Sequence, residues 1–154
     1  YDFILLWDVI EHVKDDNKII NHCYKLLNKN GCLLISYVTK KKEWRKDDNL
    51  YGHLRRYEIN YIIKQLSKFK ILEIWDFTFP VFWLMRRIYV NFIKDVREND
   101  KEKLTKQSSL ELRYFNFFNR YLSYRSIWIF FWYLCYLFKN YNLGHQSLVL
   151  VQKV

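Results

Sequence analysis

Apolar residues alternate along this chain between short runs and segments with helical spacing. Phe3 to Trp7 is a run with no polar interruption, which predicts a strand covered on both faces, as in a parallel sheet flanked by helices. Residues 15–28 then place apolar side chains at helical spacing behind two aspartates, which the helix dipole favours in a first turn. Residues 32–38, CLLISYV, form a second apolar run. The first 38 residues therefore predict one βαβ unit, with a right-handed crossover.

The same alternation continues as far as residue 79. NKNG should end the first helix, with Gly31 in the left-handed position that often follows a helix. A polar loop is expected from Thr39 to about Tyr51. Apolar residues between Ile59 and Phe69 predict another amphipathic helix, and residues 71–77, ILEIWDF, a third strand.

The character of the sequence changes after Pro80, the only proline. Aromatic helices flanked by arginines are predicted at roughly 81–95 and 110–139, joined by a solvated connection. Residues 145–154, HQSLVLVQKV, return to strand composition. We therefore divide the chain into a core at 1–79, a helical insertion at 80–144 and a final strand at 145–154.

Composition limits the classes of protein that this chain can belong to. The 154 residues are 51% hydrophobic and 20% aromatic, which excludes disorder as a description of the whole and favours one folded unit. The three cysteines are scattered without CxxC spacing, which is typical of a reducing compartment and predicts a cytoplasmic protein. No metal site is expected, because DVIEH has one histidine where zinc-protease helices need two, and Cys23 and Cys32 lack partners at ligand spacing.

The net charge of +10 raises the question of an anionic partner. Lysines and arginines of this number can indicate nucleic acid or an anionic membrane surface. Here they are dispersed or mixed with acidic residues, as in KKKEWRKDD, and no nucleic-acid reading motif accompanies them. We therefore expect no nucleic-acid partner.

Three motifs, in order, resemble one known family. Asp8 to Val13 reads D-V-I-E-H-V, Asn28 to Gly31 forms the turn before the next strand, and Gly52 to Tyr57 reads G-H-L-R-R-Y. This order resembles the second half of a class I S-adenosylmethionine-dependent methyltransferase, in its small-molecule branch. The turn lacks the family's usual proline, and Glu58 and Tyr61 stand where members commonly carry a capping box. The resemblance covers residues 1–79 and returns at 145–154.

The resemblance implies an α/β fold containing strands four to seven of a seven-stranded Rossmann-like sheet, with an aromatic helical insertion on the acceptor side. It also implies that the first three strands, the glycine-rich cofactor loop and the acidic ribose-binding residue would precede Tyr1. No G-x-G occurs in these 154 residues. We therefore expect a methyltransferase whose present chain is inactive alone, and expect cofactor binding to return when an upstream segment of about 80 to 120 residues is added.

By similarity, the end of strand four lines the cofactor S-adenosylmethionine, so Trp7 and Asp8 are the predicted cofactor contacts. Trp7 has an alternative role in core packing, and Asp8 as the cap of the following turn. His12 and His53 are the candidate catalytic bases, because histidine suits proton transfer near neutral pH. For His12 the alternative is a hydrogen bond that orients the loop.

Arg55, Arg56 and Tyr57 are the candidate substrate-binding residues. Adjacent guanidinium groups are suited to clamping a carboxylate or phosphate on the acceptor. The alternative is that one arginine pairs with Asp8, Glu11 or Asp76 and braces the loop.

Residues 127–138, IWIFFWYLCYLF, favour a second hypothesis. A helix apolar on every side is buried or in lipid, and twelve residues are too few to span a bilayer, which needs about 20. Aromatic residues with flanking Arg120, Arg125 and Lys139 suit peripheral membrane contact through 120–139. The acceptor would then be a small or lipid-linked molecule, and the alternative is a lid over the sheet. The alternative function is a non-catalytic methyltransferase-like module that binds a membrane surface or a protein partner.

Overall fold

The computed structural model describes residues 1–92 and 125–154. Its described part contains four strands and five α-helices. The strands are β1 (Phe3–Leu6), β2 (Cys32–Val38), β3 (Phe69–Asp76) and β4 (Gln146–Lys153). The helices are α1 (Asp16–Leu26), α2 (Lys46–Tyr51), α3 (Ile59–Gln65), α4 (Val81–Phe92) and α5 (Arg125–Leu137), with short 3₁₀ turns at Ile10–His12 and Lys41–Glu43.

The four strands form one mixed sheet in the order β1-β2-β4-β3. β1 and β2 pair in parallel, from Phe3 opposite Cys32 to Leu6 opposite Ile35. The last strand, β4, lies antiparallel between β2 and β3. The predicted βαβ unit and the predicted final strand are therefore both confirmed, and the fold is α/β with part of a Rossmann-like sheet.

One face of the sheet packs against α1 and α3. The shared core contains residues of both helices and alternate residues of β2 and β4, all almost fully buried. These residues include Ile20, Cys23, Leu33, Ile35, Ile62, Leu66, Val149 and Val151. Each buried aliphatic side chain of this size contributes about 1.5–3 kcal/mol, so this layer holds the strand ends in place.

The expectation that β1 is covered on both faces is wrong for the described part of the chain. Ile4 and Leu6 pack against the core, but Phe3, Leu5 and Trp7 each expose about half of their surface. β1 is an edge strand of this sheet, and an uninterrupted apolar run carries no information about which neighbours cover its second face. The local pattern therefore predicted the strand correctly and its surroundings incorrectly.

Two turns also differ from their predictions. Asn30, not Gly31, takes the left-handed conformation, with φ of 64°. Gly31 is instead a place of close approach, because a Cβ there would lie 2.9 Å from the Tyr1 carbonyl oxygen. The loop from Thr39 to Tyr51 contains α2, which ends at Gly52 in the left-handed conformation, with φ of 73°.

The aromatic helices agree with their predictions where they are described. α4 begins at Val81 as predicted, α5 ends at Leu137, and the rings of Phe82 and Trp128 stack 6.3 Å apart. Residues 93–95 and 110–124 of the predicted helices, Arg120 among them, and the connection between the helices lie outside the described residues. Residues 138 and 139, predicted as helix, form a turn. Among the helices of the described ranges, none combines the length and apolar character needed to cross a bilayer.

Candidate functional site

The carboxyl end of β1 turns sharply at Asp8, whose φ of 49° lies in the left-handed region. Its backbone N–H donates to Ser36 Oγ over 2.7 Å, and the Ser36 hydroxyl donates to the Asp8 carboxylate over 2.6 Å. Gln146 of β4 donates to the same carboxylate at 3.4 Å. Val9 is the N-cap of the 3₁₀ turn and no side chain caps it, so Asp8 does not act as the cap.

Trp7 lies at the same edge of the sheet. Half of its surface is exposed, and its ring contacts the ring of Phe77 with centroids 5.9 Å apart. A role confined to core packing does not explain this exposure. Trp7 therefore presents an apolar surface beside a fixed carboxylate.

The loop that carries G-H-L-R-R-Y lies against the turn after β1. The Leu54 backbone N–H donates to the Glu11 carbonyl over 2.8 Å. This contact brings His12 and His53 together, with ring centroids 4.9 Å apart in an edge-to-face arrangement. The two histidines that the sequence singled out thus form one cluster.

Asp48, on α2, fixes the conformation of this loop through its hydrogen bonds. It is fully buried, and its carboxylate accepts from Arg45 N at 2.8 Å, His53 Nδ1 at 2.7 Å, Arg56 Nε at 2.8 Å and Arg86 Nη2 at 2.9 Å. Burial alone would raise the pKa of Asp48, but the hydrogen bonds from His53, Arg56 and the Arg45 backbone outweigh it and lower the pKa well below its usual range. Asp48 is therefore a carboxylate that holds His53 in one orientation.

The two arginines of the motif bind protein groups. Arg56 is 3% exposed and donates to Asp48 and to the carbonyls of Thr39 and His145. Arg55 donates to the carbonyls of Val13 and Lys14, and its guanidinium lies 3.5 Å from Asp16. These contacts favour the bracing role, although with acidic partners other than Asp8, Glu11 or Asp76.

Tyr57 is also directed into the protein. Its side chain is buried and its hydroxyl donates to the Ile10 carbonyl over 2.8 Å. Burial and the nearby charge of Asp16 raise the pKa of this phenol. A substrate contact for Arg55, Arg56 or Tyr57 stays a prediction. In the structure all three residues bind protein groups and stabilise the loop.

Glu11 is the residue that the sequence reasoning missed. It is 0% exposed, and neither carboxylate oxygen has a hydrogen-bond partner among the described residues. Burial raises its pKa, and the negative charge of Asp8 reinforces the shift. Glu11, His12 and His53 each offer one ligand atom, and these atoms lie within 4.8 Å of one another.

Sequence reasoning also missed Asp48 and Arg86. The signal available was the pair of aspartates in RKDDNLYGH. Adjacent charged residues usually indicate a solvated loop, so this signal does not predict burial. The short helix α2, ended by Gly52, places both aspartates in the interior.

Comparisons with known proteins identify the part of the chain that carries the likeness. Residues 1–70 match a family model described as a methyltransferase domain. No curated protein sequence matches the chain. Among solved structures, Haemonchus contortus phosphoethanolamine N-methyltransferase 2, determined with S-adenosyl-L-methionine, superposes with a TM-score of 0.50 at 17% identity. The [4+2]-cyclase SpnF superposes with a TM-score of 0.53 at 12% identity.

Both superpositions include 99% of this chain, which spans 33% of the N-methyltransferase chain and 49% of the cyclase chain. Identities this low show a common fold, and one fold serves different reactions. The match of residues 1–70 covers β1, α1, β2, the turn that carries His12 and the loop that carries His53. The likeness is therefore strongest where the candidate site lies.

Proposed function

We propose that this chain forms part of an S-adenosylmethionine-dependent methyltransferase that acts on a small or lipid-like molecule. The observation that carries the proposal is the coincidence of two facts. Residues 1–70 match a methyltransferase domain, and the same residues place Trp7, Asp8, His12 and His53 at the carboxyl end of parallel strands. Ligands of open α/β sheets bind at that edge.

The residues present provide one wall for the cofactor. Trp7 offers an exposed ring for an apolar contact, and Asp8 is a carboxylate fixed by Ser36 and Gln146 beside it. The cofactor, when bound, supplies a methyl group that is already activated on a sulfonium. The protein then has to align the acceptor and exclude water.

His53 is the better placed of the two candidate bases. Its Nδ1–H donates to the charged Asp48, which leaves Nε2 as the nitrogen with a free lone pair. That nitrogen can accept a proton from a hydroxyl or amine acceptor of high pKa. Arg56 supports His53 indirectly, since both donate to Asp48.

We further propose that these 154 residues alone bind the cofactor weakly and transfer no methyl group. The three glycines are Gly31, Gly52 and Gly144, and no pair forms a G-x-G. One wall without a glycine-rich cradle corresponds to millimolar binding, about −4 kcal/mol.

The test is saturation-transfer-difference NMR of S-adenosylmethionine with the 154-residue chain, since this method detects weak ligands. We expect saturation of the adenine or methionine protons, its loss in Trp7→Ala, and its displacement by S-adenosylhomocysteine. Trp132→Ala is the matched control, because Trp132 is similarly exposed, at 59% against 50% for Trp7, but lies on α5. Equal signals in both variants, or no signal at all, would contradict the proposal.

A second candidate function rests on the exposed surface of α4 and α5. Six apolar or aromatic residues of α5 and three of α4 are largely exposed in the described part of the chain. They are Ile129, Phe130, Trp132, Tyr133, Tyr136 and Leu137 on α5, and Leu84, Met85 and Ile88 on α4. Aromatic and aliphatic side chains in this number suit the interface of a bilayer. This surface supports peripheral membrane association, whether or not the protein is catalytic.

Flotation with vesicles containing anionic lipid tests this second candidate. We expect the chain to float, and Phe130→Ser with Trp132→Ser to release it. The matched control replaces Phe3 and Trp7 by Ser, because both are half-exposed but lie on the sheet edge. Retention of the α5 variant, or failure of the unaltered chain to float, would leave α5 as a cover of the sheet.

A further inference from the structure

Glu11 presents an unusual environment for a carboxylate. It is 0% exposed and both its oxygens lack a donor among the described residues. Buried polar groups are otherwise nearly always paired, because an unpaired buried carboxylate is costly. The environment of Glu11 is therefore incomplete without a positively charged or proton-donating group.

Two histidines lie close enough to Glu11 to share a metal ion with it. His12 follows it in the 3₁₀ turn, and His53 reaches the same place from the loop after α2. One ligand atom from each of the three residues lies within 4.8 Å of the others. A carboxylate and two imidazoles are ligands that zinc and related divalent ions bind.

His53 is already oriented as a metal ligand. Its Nδ1 lies 2.7 Å from the Asp48 carboxylate, an arrangement of histidine and outer carboxylate that fixes the ring and its tautomer in metal sites. Nε2 is then the nitrogen available to an ion. Asp48 is itself fixed by Arg56 and Arg86, so the ring cannot easily turn away.

The separation of the ligand atoms is compatible with an ion after a small adjustment. Metal bonds of about 2.0–2.2 Å place tetrahedral ligands about 3.3–3.5 Å apart, somewhat closer than the limit of 4.8 Å seen here. His12 is exposed, so its side chain can move toward the other two without disturbing the core. Its exposure also leaves a coordination position open to water or an acceptor.

We propose that Glu11, His12 and His53 bind one divalent transition-metal ion, of which zinc is the best match to the ligand set. Such a site differs from the sequence-based expectation of no metal, which rested on the single histidine in DVIEH and on the lack of partners for Cys23 and Cys32. While an ion occupies Nε2, His53 cannot act as the general base proposed above, since both roles use the same lone pair. The metal site is therefore proposed independently of methyl transfer. It requires the cluster alone.

Isothermal titration of Zn²⁺ into the chelator-treated 154-residue chain tests the site. We expect one ion per chain with micromolar affinity, weakened at least tenfold in His12→Ala and in Glu11→Gln. Because His12 is exposed, its replacement leaves the fold intact, and thermal unfolding of Glu11→Gln without metal checks the second variant. His22→Ala is the matched control, since His22 is an exposed histidine on α1.

Co²⁺ provides an independent reading, since its visible absorption intensity distinguishes tetrahedral from octahedral coordination. Binding lost in His12→Ala and Glu11→Gln but kept in His22→Ala supports the site. Two outcomes overturn the proposal: affinity equal in all four proteins, or no saturable Zn²⁺ binding by the unaltered chain. A failure of S-adenosylmethionine to bind in the NMR experiment leaves this result unaffected.

Discussion

Two fully buried carboxylates lie on either side of His53, and their surroundings differ sharply. Asp48 accepts hydrogen bonds from one imidazole, two guanidinium groups and a backbone N–H. Glu11 accepts none from the described residues through its side chain. Asp48 is thus the centre of a complete set of ionic contacts. Glu11 belongs to a polar cluster in which no described residue donates to its carboxylate.

The difference distinguishes a carboxylate that stabilises the fold, Asp48, from one that is available to a ligand, Glu11. Satisfied buried groups contribute to the fold, and their loss leaves uncompensated charges behind. An unsatisfied buried carboxylate costs stability, and natural proteins carry such costs mainly where a ligand or a reaction uses the group. Asp48 is therefore expected to be needed for folding, and Glu11 for binding.

Replacing Asp48 by Ala should have the largest effect. It would leave the buried guanidinium of Arg56 without its carboxylate and would remove one of the two carboxylates that Arg86 contacts, the other being Asp47, at a cost of about 3–5 kcal/mol. The thermal midpoint should fall by on the order of 10 °C. Glu73→Ala, an exposed acid of β3, is the control and should change little. A loss of stability no larger than that of Glu73→Ala would show that the contacts of Asp48 do not stabilise the fold.

Gly144→Ala extends the comparison to a third buried carboxylate, Asp76. The backbone N–H groups of Thr78, Phe79 and Gly144 all donate to it, and a methyl group at Gly144 would overlap the Asp76 carboxylate and Thr78 Oγ1. We expect a loss of about 2 kcal/mol in denaturant unfolding.

Gly52→Ala serves as the reference for this substitution. Gly52 has a positive φ of 73° but open space around it, so strain alone should cost about 1 kcal/mol. A smaller loss at Gly144 than at Gly52 would mean that the Asp76 pocket adapts readily.

Glu11→Met should act in the opposite direction. Without metal, an apolar side chain of similar length removes the unpaired buried carboxylate and should stabilise the chain by about 1 kcal/mol. Urea unfolding in the presence of a chelator measures the change, with Glu73→Met as the exposed control. Marked destabilisation by Glu11→Met would show that Glu11 has a structural partner.

The smallest effect concerns pH. Burial, with the positive charges of Arg86 and Arg56, lowers the pKa of His145 from 6.5 to about 3. The unfolded chain therefore binds a proton at His145 that the folded chain refuses, so stability falls as pH decreases below the unfolded pKa. Between pH 7.5 and 5.5 the loss should be about 1 kcal/mol.

Urea unfolding of His145→Gln over the same pH range isolates this contribution. The variant should lose about 1 kcal/mol less than the unaltered chain on acidification, whereas His22→Gln, at an exposed position, should follow the unaltered chain. Parallel pH profiles for all three proteins would indicate that His145 is protonated as easily in the folded state.

Much of the fold was predictable, because its signals are local. Apolar runs and helical spacing predicted β1, α1, β2 and β4. What failed depends on neighbours distant in sequence, such as the exposed second face of β1. α2 was missed because its six residues are almost all polar, so no apolar period marks it.

The site was predictable in part for the same reason. His12 and His53 belong to recognisable motifs, and the structure brings them together. The roles of Glu11 and Asp48 depend on burial and on partners from other elements, such as Arg86 on α4. No spacing rule in the sequence joins residues that lie about 40 positions apart, so these two carboxylates became distinguishable only in three dimensions.

The most direct test of the proposed function is a map of where S-adenosylmethionine binds. In ¹H–¹⁵N NMR spectra of the labelled 154-residue chain, millimolar cofactor should shift the Trp7 indole signal and the backbone amides of Asp8 and Ser36, which meet at the carboxyl edge of the sheet. The Trp132 indole signal on α5 should stay in place. Shifts that spare Trp7 and Asp8, or that fall on α5 instead, would contradict the proposal that this edge is the cofactor wall of a methyltransferase.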